Sequence, residues 1–395
     1  MDYYLESLRL HEKNRGKLEV KSKVRIKNRR DLSLAYTPGV AEPCRRIHKN
    51  PSDLYKYTNK GNSVAVVTDG SAVLGLGNIG AAAGLPVMEG KAILFKEFGG
   101  VDAYPICLDT QDTEEIIRTV KAIAPGFGGI NLEDISAPRC FEVEKRLIEE
   151  LGIPVFHDDQ HGTAIVVLAG LINALKLTGR QFSETKIVVN GVGAAGVAIS
   201  KLLMAYGAKA ENFILCDSVG TIFKGRTGLN AIKEGLADIT NTACLLGMDD
   251  PRCKKGGLGD IIDGADVFIG VSKPGLLTPE MVGKMAKDPI VFAMANPEPE
   301  IWPDLALKAG AKIVATGRSD FPNQVNNVLA FPGLFRGVLD AGIRTITEEI
   351  KIAVAEAIAT YLKKPKIDQI LPSPLDKKVA KAVAKAILKF KPKSL

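Results

Sequence analysis

The residues KIVVNGVGAAG (186–196) constrain the fold of this chain more than any other stretch. A β-branched run enters three glycines, Gly191, Gly193 and Gly196, and a helical pattern follows. Glycines at this spacing permit a tight turn and let a pyrophosphate approach the backbone at the helix N-terminus. The next β-type run, NFILCD, ends at Asp217, 21 residues after Gly196. An acid at that distance bonds a ribose 2′-hydroxyl. Strand, turn, helix and acid together predict a Rossmann-type sheet that binds a nicotinamide dinucleotide. Gly191, Gly193, Ala194, Ala195, Gly196 and Asp217 are its expected contacts. Asp217 repels a 2′-phosphate, which favours NAD; Ser218, Lys224 and Arg226 leave room for NADP.

Further strand patterns, ADVFIGVS, PIVFAMANP and AKIVATGRSD, extend this sheet to at least five strands. Upstream, SVAVVTD, VDAYPICLD, GINLEDI and IPVFHDD alternate with helical patterns such as TEEIIRTVKAIAP. Strands alternating with helices imply a second parallel sheet. The expected fold is therefore α/β with two domains. A catalytic domain spans 1–162, a dinucleotide domain spans 163–330, and helices over 331–395 pack back on the catalytic domain. A second G-x-G-x-x-G, GLGNIG (75–80), is separated from its strand by Asp69-Gly70-Ser71. Gly84 and Pro86 are expected to block a long helix after it.

Composition narrows the function classes. A chain of 395 residues with 46% hydrophobic content can bury two cores. The net charge of +7 resides largely in lysine-rich ends at 17–30 and 377–393. Alanine, valine, isoleucine and leucine recur at helical spacing in the latter, so its lysines form one face of an amphipathic helix. With no recognition motif nearby, nucleic acid is not an expected partner. Neither a signal-type apolar core nor an apolar run of spanning length occurs, so the expected setting is cytoplasmic with no membrane partner. Six cysteines without a C-x-x-C pair are expected to be reduced.

VFHDDQHGTA (155–164) sets His157 and His161 four apart, as on a helical zinc site. The strand-like PVF before them and Gly162 after them argue against a shared helix face, and the apolar helix is expected to begin only afterwards. Oxygen ligands are the better reading. Asp158 and Asp159 follow one probable strand, and Glu133 and Asp134 follow another. Ligands of open α/β sheets collect at such strand ends, and converging carboxylates suit a hard divalent ion, Mg2+ or Mn2+. Taken alone, the same acids also suit helix caps or a solvated face.

Several stretches resemble the malic enzymes in their short prokaryotic form: AYTPGVAEPC (35–44), VTDGSAVLGLGNIG (67–80), VMEGKAILFKEFGGVDAYPI (87–106), INLEDI (130–135), PVFHDDQHGTA (154–164), NGVGAAG (190–196), ANPEPEI (295–301) and GRSDFPNQVNNVLAFPG (317–333). The resemblance implies oxidation of L-malate and its decarboxylation to pyruvate and CO2, with NAD or NADP and a divalent metal, and decarboxylation of oxaloacetate. It implies Glu133, Asp134 and Asp159 as metal ligands. Lys91 corresponds to the base that takes the malate hydroxyl proton, Asp158 to its partner, and Tyr36 to the acid that protonates C3 of the enol. Asn296, Asn326 and Asn327 fall where the family holds the substrate carboxylate or the nicotinamide. A homodimer is implied too. One departure stands out: animal relatives carry a malate-gripping arginine where this chain has Ala72. Two other classes remain: a Rossmann dehydrogenase that does not decarboxylate, and a basic dinucleotide-binding regulator.

Overall fold

The computed structural model describes residues 3–73, 75–247, 250 and 252–392. It contains two sheets. In the first, β1 (Ser63–Thr68), β2 (Asp102–Cys107), β3 (Gly129–Leu132) and β4 (Val155–His157) run parallel in the order β2-β1-β3-β4. The second contains β5 (Ile187–Asn190), β6 (Phe213–Asp217), β7 (Gly220–Thr221), β8 (Val267–Gly270), β9 (Ile290–Ala293) and β10 (Ile313–Thr316). Its order is β10-β9-β8-β5-β6-β7, parallel except for β7. Strand order reverses between β5 and β8, which opens a crevice at the carboxyl ends of those strands.

Three crossover helices cover the first sheet: α1 (Ala81–Gly99), α2 (Thr113–Ile123) and α3 (Arg139–Glu150). The Asp112 side chain caps α2 by accepting the Glu115 N–H. Contrary to expectation, α1 runs unbroken through Gly84 and Pro86. A proline there costs one backbone bond, but Met88, Ala92 and Phe95 are buried on the same helix. Each large apolar side chain so buried contributes about 1.5–3 kcal/mol, which outweighs the loss.

The helix α4 (Asp158–Thr178) joins the two sheets. It begins directly after β4, five residues earlier than the sequence suggests, and crosses the expected boundary at 162/163 without a break. By length and composition it could cross a membrane. Here Ile165 to Leu168 and Leu171 are instead buried in one core with Val64 of the first sheet, Val189 of the second and Leu334 of the C-terminal helices. Gly179 closes it in the left-handed conformation. The dinucleotide turn leads into α5 (Ala194–Tyr206), and the chain ends in α6 (Phe331–Ala341), α7 (Glu348–Tyr361) and α8 (Lys377–Ile387). Val379, Val383 and Ile387 bury one face of α8, and its lysines lie on the other.

One cysteine expectation is overturned. Cys244 and Cys253 form a disulfide. Asn241 draws the loop closed: its Nδ2 donates to the Lys254 carbonyl and its Oδ1 accepts the Lys254 N–H. That brings the two Cα atoms to 4.5 Å. Cys44, Cys107, Cys140 and Cys216 are free thiols. Within the expected surface loop 247–260, residues 248, 249 and 251 lie outside the described residues.

Candidate active site

Pairing register explains why acids far apart in sequence meet. Leu132 of β3 lies opposite His157 of β4. The residues that follow, Glu133-Asp134 and Asp158-Asp159, therefore emerge side by side at the sheet's carboxyl edge. The Asp134 N–H donates to Asp159 Oδ2 at 2.7 Å. Glu133, Asp134 and Asp159 each offer an oxygen within 4.8 Å of the others.

Lys91 reaches this edge from α1. Its Nζ lies 2.6 Å from Asp158 Oδ2, 2.9 Å from Glu133 Oε1 and 4.4 Å from the centre of the Phe331 ring. Burial pulls the ammonium toward its neutral form, but Asp158, Glu133 and Asp159 outweigh that effect and hold it above the ordinary lysine range. Asp158 is pushed up to about 6 by burial, against the pull of Lys91. Glu133 and Asp159 are raised by burial; repulsion from Asp159 adds to the rise of Glu133, and repulsion from Asp158 to that of Asp159. An all-oxygen donor set in which burial disfavours the charged forms of Glu133 and Asp159 fits a hard divalent cation, which would offset that cost.

Gly162 is required by close packing. A Cβ there would meet Asp158 Oδ1 at 1.9 Å and the Asn327 Cβ at 3.1 Å. Asn327 donates from Nδ2 to Asp158 Oδ2 at 2.5 Å, linking the chain after β10 to this centre. The Oδ1 of the neighbouring Asn326 accepts the Val328 N–H as a cap. Asn296 lies after β9 at a cis peptide with Pro297. Its carbonyl crowds the Gly75 Cα so closely that a Cβ at 75 would meet it at 2.3 Å. The GLGNIG loop and the Asn296 loop thus face each other across the interval between the sheets. Ala72 donates its N–H to the Asp134 carbonyl. Tyr36 is 67% exposed, and none of the described polar contacts ties its side chain to Lys91.

The histidines have separate tasks. His157 ends β4, and burial pushes it down to about 4, so it is neutral at physiological pH. His161 lies in the first turn of α4 and bonds Glu144 at 2.9 Å. The other Glu144 oxygen accepts the His157 N–H. Burial would raise Glu144, yet His161 brings it down to about 2. Sequence inspection passes over Glu144 because it resembles any helix-surface acid; only the packing of α3 against α4 reveals the bridge.

A 430 Å3 cleft at the strand-order reversal is lined by Asn190, Gly191, Gly193, Asp217, Lys233 and Ser272, among others. A Cβ at Gly196 would meet the Gly191 carbonyl at 1.8 Å, so turn and helix can pack only without one. Asp217 ends β6 as expected, but it is not solitary. Oδ2 receives Arg226 Nη2 at 2.7 Å and Lys233 Nζ at 2.6 Å, while Oδ1 accepts the Val219 and Gly220 N–H groups. Burial would raise this carboxyl, but those bonds hold it well below the usual range. Glu300, within the ANPEPEI stretch but given no role by it, is fully buried. It accepts the Ser272 and Ala295 N–H groups and so ties the ends of β8 and β9 beside the cleft.

Known proteins share both domains and the fold. The family "Malic enzyme, N-terminal domain" matches residues 15–148, and "Malic enzyme, NAD binding domain" matches 160–391. A bifunctional malic/malolactic enzyme of Bacillus subtilis is 60% identical over 387 residues, covering 97% of this chain and 92% of that protein. An NAD-dependent malic enzyme of Geobacillus stearothermophilus is 57% identical over 94% of this chain and 76% of its own length. Proteins named NADP-dependent malic enzyme match as well. The crystal structure of a malic enzyme from Pyrococcus horikoshii superposes with a TM-score of 0.92 at 49% identity, covering 98% of this chain and 90% of that one. Two family domains in the same order, identities of this size and a shared fold make the chain a member of the malic enzyme family.

Proposed function

We propose that the chain oxidises L-malate and decarboxylates it to pyruvate and CO2, using Lys91 and the acids around it. The observation that carries this reading is Lys91, bonded to Asp158 and Glu133 beside a three-carboxylate group, with Asn327 closing over it. The cleft at Gly191 and Gly193 would hold the nicotinamide cofactor, which would supply a hydride acceptor, and Glu133, Asp134 and Asp159 would hold a divalent ion, which would supply positive charge beside the substrate oxygen. Lys91 takes the hydroxyl proton. It must first give up its own proton, which Asp158, at hydrogen-bond distance, is placed to accept. Asn327 orients Asp158, and Asn296 lies where substrate and nicotinamide meet. Tyr36 protonates C3 once the surface that carries it is brought against Lys91. Tyr3, Leu8, Val20, Leu34 and Tyr36 are each exposed; a homodimer that covers them belongs to this reading, as does a cytoplasmic setting.

With L-malate, Mn2+ and either NAD or NADP, the purified protein should yield pyruvate and reduced cofactor in equal amounts. Absence of turnover with both cofactors would sink the proposal. Reduced cofactor accompanied by oxaloacetate, insensitive to EDTA, would favour the dehydrogenase that does not decarboxylate.

Cofactor choice follows from the Asp217 cluster. One carboxylate shared by two cations leaves a net positive ribose end, which tolerates a 2′-phosphate. Both cofactors should therefore be accepted. Lys233→Ala should lower kcat/KM for NADP by about tenfold or more, the equivalent of one charge-assisted hydrogen bond. NAD should change by less than about threefold. Equal losses with both cofactors in steady-state kinetics would remove Lys233 from phosphate recognition.

A further inference from the structure

A second cavity, of 410 Å3, lies behind the cofactor cleft. Phe141, Val197 and Ile232 line both spaces and form the partition between them. Ile148, Ala198 and Leu202 continue its apolar wall, and Gln160, His161 and Lys351 form its polar end. Lys351 projects from α7 and donates to His161 Nδ1 at 3.1 Å. Among the described residues, no carboxylate oxygen lies within 4.0 Å of its ammonium. Burial pulls that ammonium toward the neutral form, while the charges of Glu144 and Glu348 pull it back in part. Glu144, the buried acid of this cavity, has both oxygens engaged by His157 and His161. Glu149 and Glu348 stand at the exposed rim. Gln160 is 3% exposed, and its Nε2 has no hydrogen-bond partner.

We propose that this cavity binds a small organic acid with an apolar body, its carboxylate on Lys351, and that occupancy shifts the affinity for the nicotinamide cofactor. The volume falls in the range of small-molecule sites, about 300–1,000 Å3. A part-buried ammonium with no carboxylate in direct contact among the described residues is poorly solvated, and an anionic group supplied by a ligand in the cavity pairs with it. The apolar wall of Phe141, Ile148, Val197 and Leu202 suits an apolar body, and the exposed Lys145 and Lys201 add positive charge that favours an acid. Coupling has a physical route. A ligand pressing on Phe141, Val197 and Ile232 displaces side chains whose other faces line the cofactor cleft. Gln160 and His161 share the first turn of α4 with Asp158 and Asp159, so the metal-side acids feel the same displacement. Coupling of this kind is reciprocal: cofactor must change the affinity for the acid by the same factor.

The test uses the full chain and 4-fluorobenzoate as probe, followed by 19F NMR. Wild type should bind it saturably with Kd of about 1 mM or below, and 4-fluorobenzamide at least about tenfold more weakly. Lys351→Met keeps the stem and removes the charge, and it should weaken binding about tenfold or more. Lys351→Arg should restore binding to within about threefold, which separates lost charge from lost folding. Saturating probe should shift the NADH dissociation constant, read by fluorescence, by about threefold or more. No saturable binding up to about 10 mM, or equal binding in wild type and Lys351→Met, overturns the site. An unchanged NADH constant at saturating probe overturns the coupling.

Discussion

Lys91→Ala is expected to lower kcat for malate oxidation by about 10^2- to 10^4-fold, the usual worth of a positioned general base. NADH binding, measured by fluorescence, should stay within about twofold, because the dinucleotide cleft lies on the other sheet. A stability effect should accompany the loss. The variant leaves Asp158 and Glu133 buried without their cation, and breaking a buried pair from one side costs about 3–5 kcal/mol. Adding Mn2+ should return part of that stability without returning activity. Tyr36→Phe provides the contrast: its side chain is exposed, so kcat should fall with the melting temperature unchanged. If both variants turn over within about threefold of wild type, the proposed roles are wrong.

The second large effect concerns the acids at the strand ends, and its sign follows from their shifts. Asp158 titrates at about 6 when folded, and Glu133 and Asp159 are displaced in the same direction, whereas unfolded carboxylates titrate near 4. Between those values the folded protein holds more protons than the unfolded chain. Without metal, stability is therefore highest below about pH 4 with respect to these groups and declines as pH rises through about 6. A divalent ion needs the ionised acids, so its stabilisation grows over that same window. At a hundredfold excess over Kd, Mn2+ should add about 2.7 kcal/mol at about pH 8, and much less at about pH 5. Asp159→Asn should abolish both this pH-dependent gain and turnover. A melting temperature that responds equally to Mn2+ at both pH values, or responds in Asp159→Asn, would remove the metal from this site.

How much was legible in the sequence depended on the range of the interaction involved. Periodicity is local, so nine of the ten strands could be read directly, whereas the two-residue β7 could not. The dinucleotide turn was equally legible, because its geometry is encoded in three glycines within six residues. Local signals failed where packing opposed them. Pro86 reads as a helix breaker, yet α1 continues because its buried face outweighs one missing bond. The polar residues 158–162 read as a loop, yet they form the first turn of α4. No C-x-x-C pair announces the disulfide, since Asn241 and Lys254 bring its cysteines together.

The site divides along the same line. By itself the sequence determined the α/β alternation, the dinucleotide turn and the presence of acids at two strand ends, because each is a property of a few consecutive residues. Only the tertiary structure decided which groups meet. Lys91 is 67 positions from Asp158, and Asn327 is 169 positions from it, yet both hydrogen-bond one carboxylate oxygen. Asp217 similarly acquires Arg226 and Lys233, which turn an NAD-type acid into a shared anion. Charge pairing of this kind depends on register, helix packing and burial, and those follow from the folded core rather than from any local run of residues.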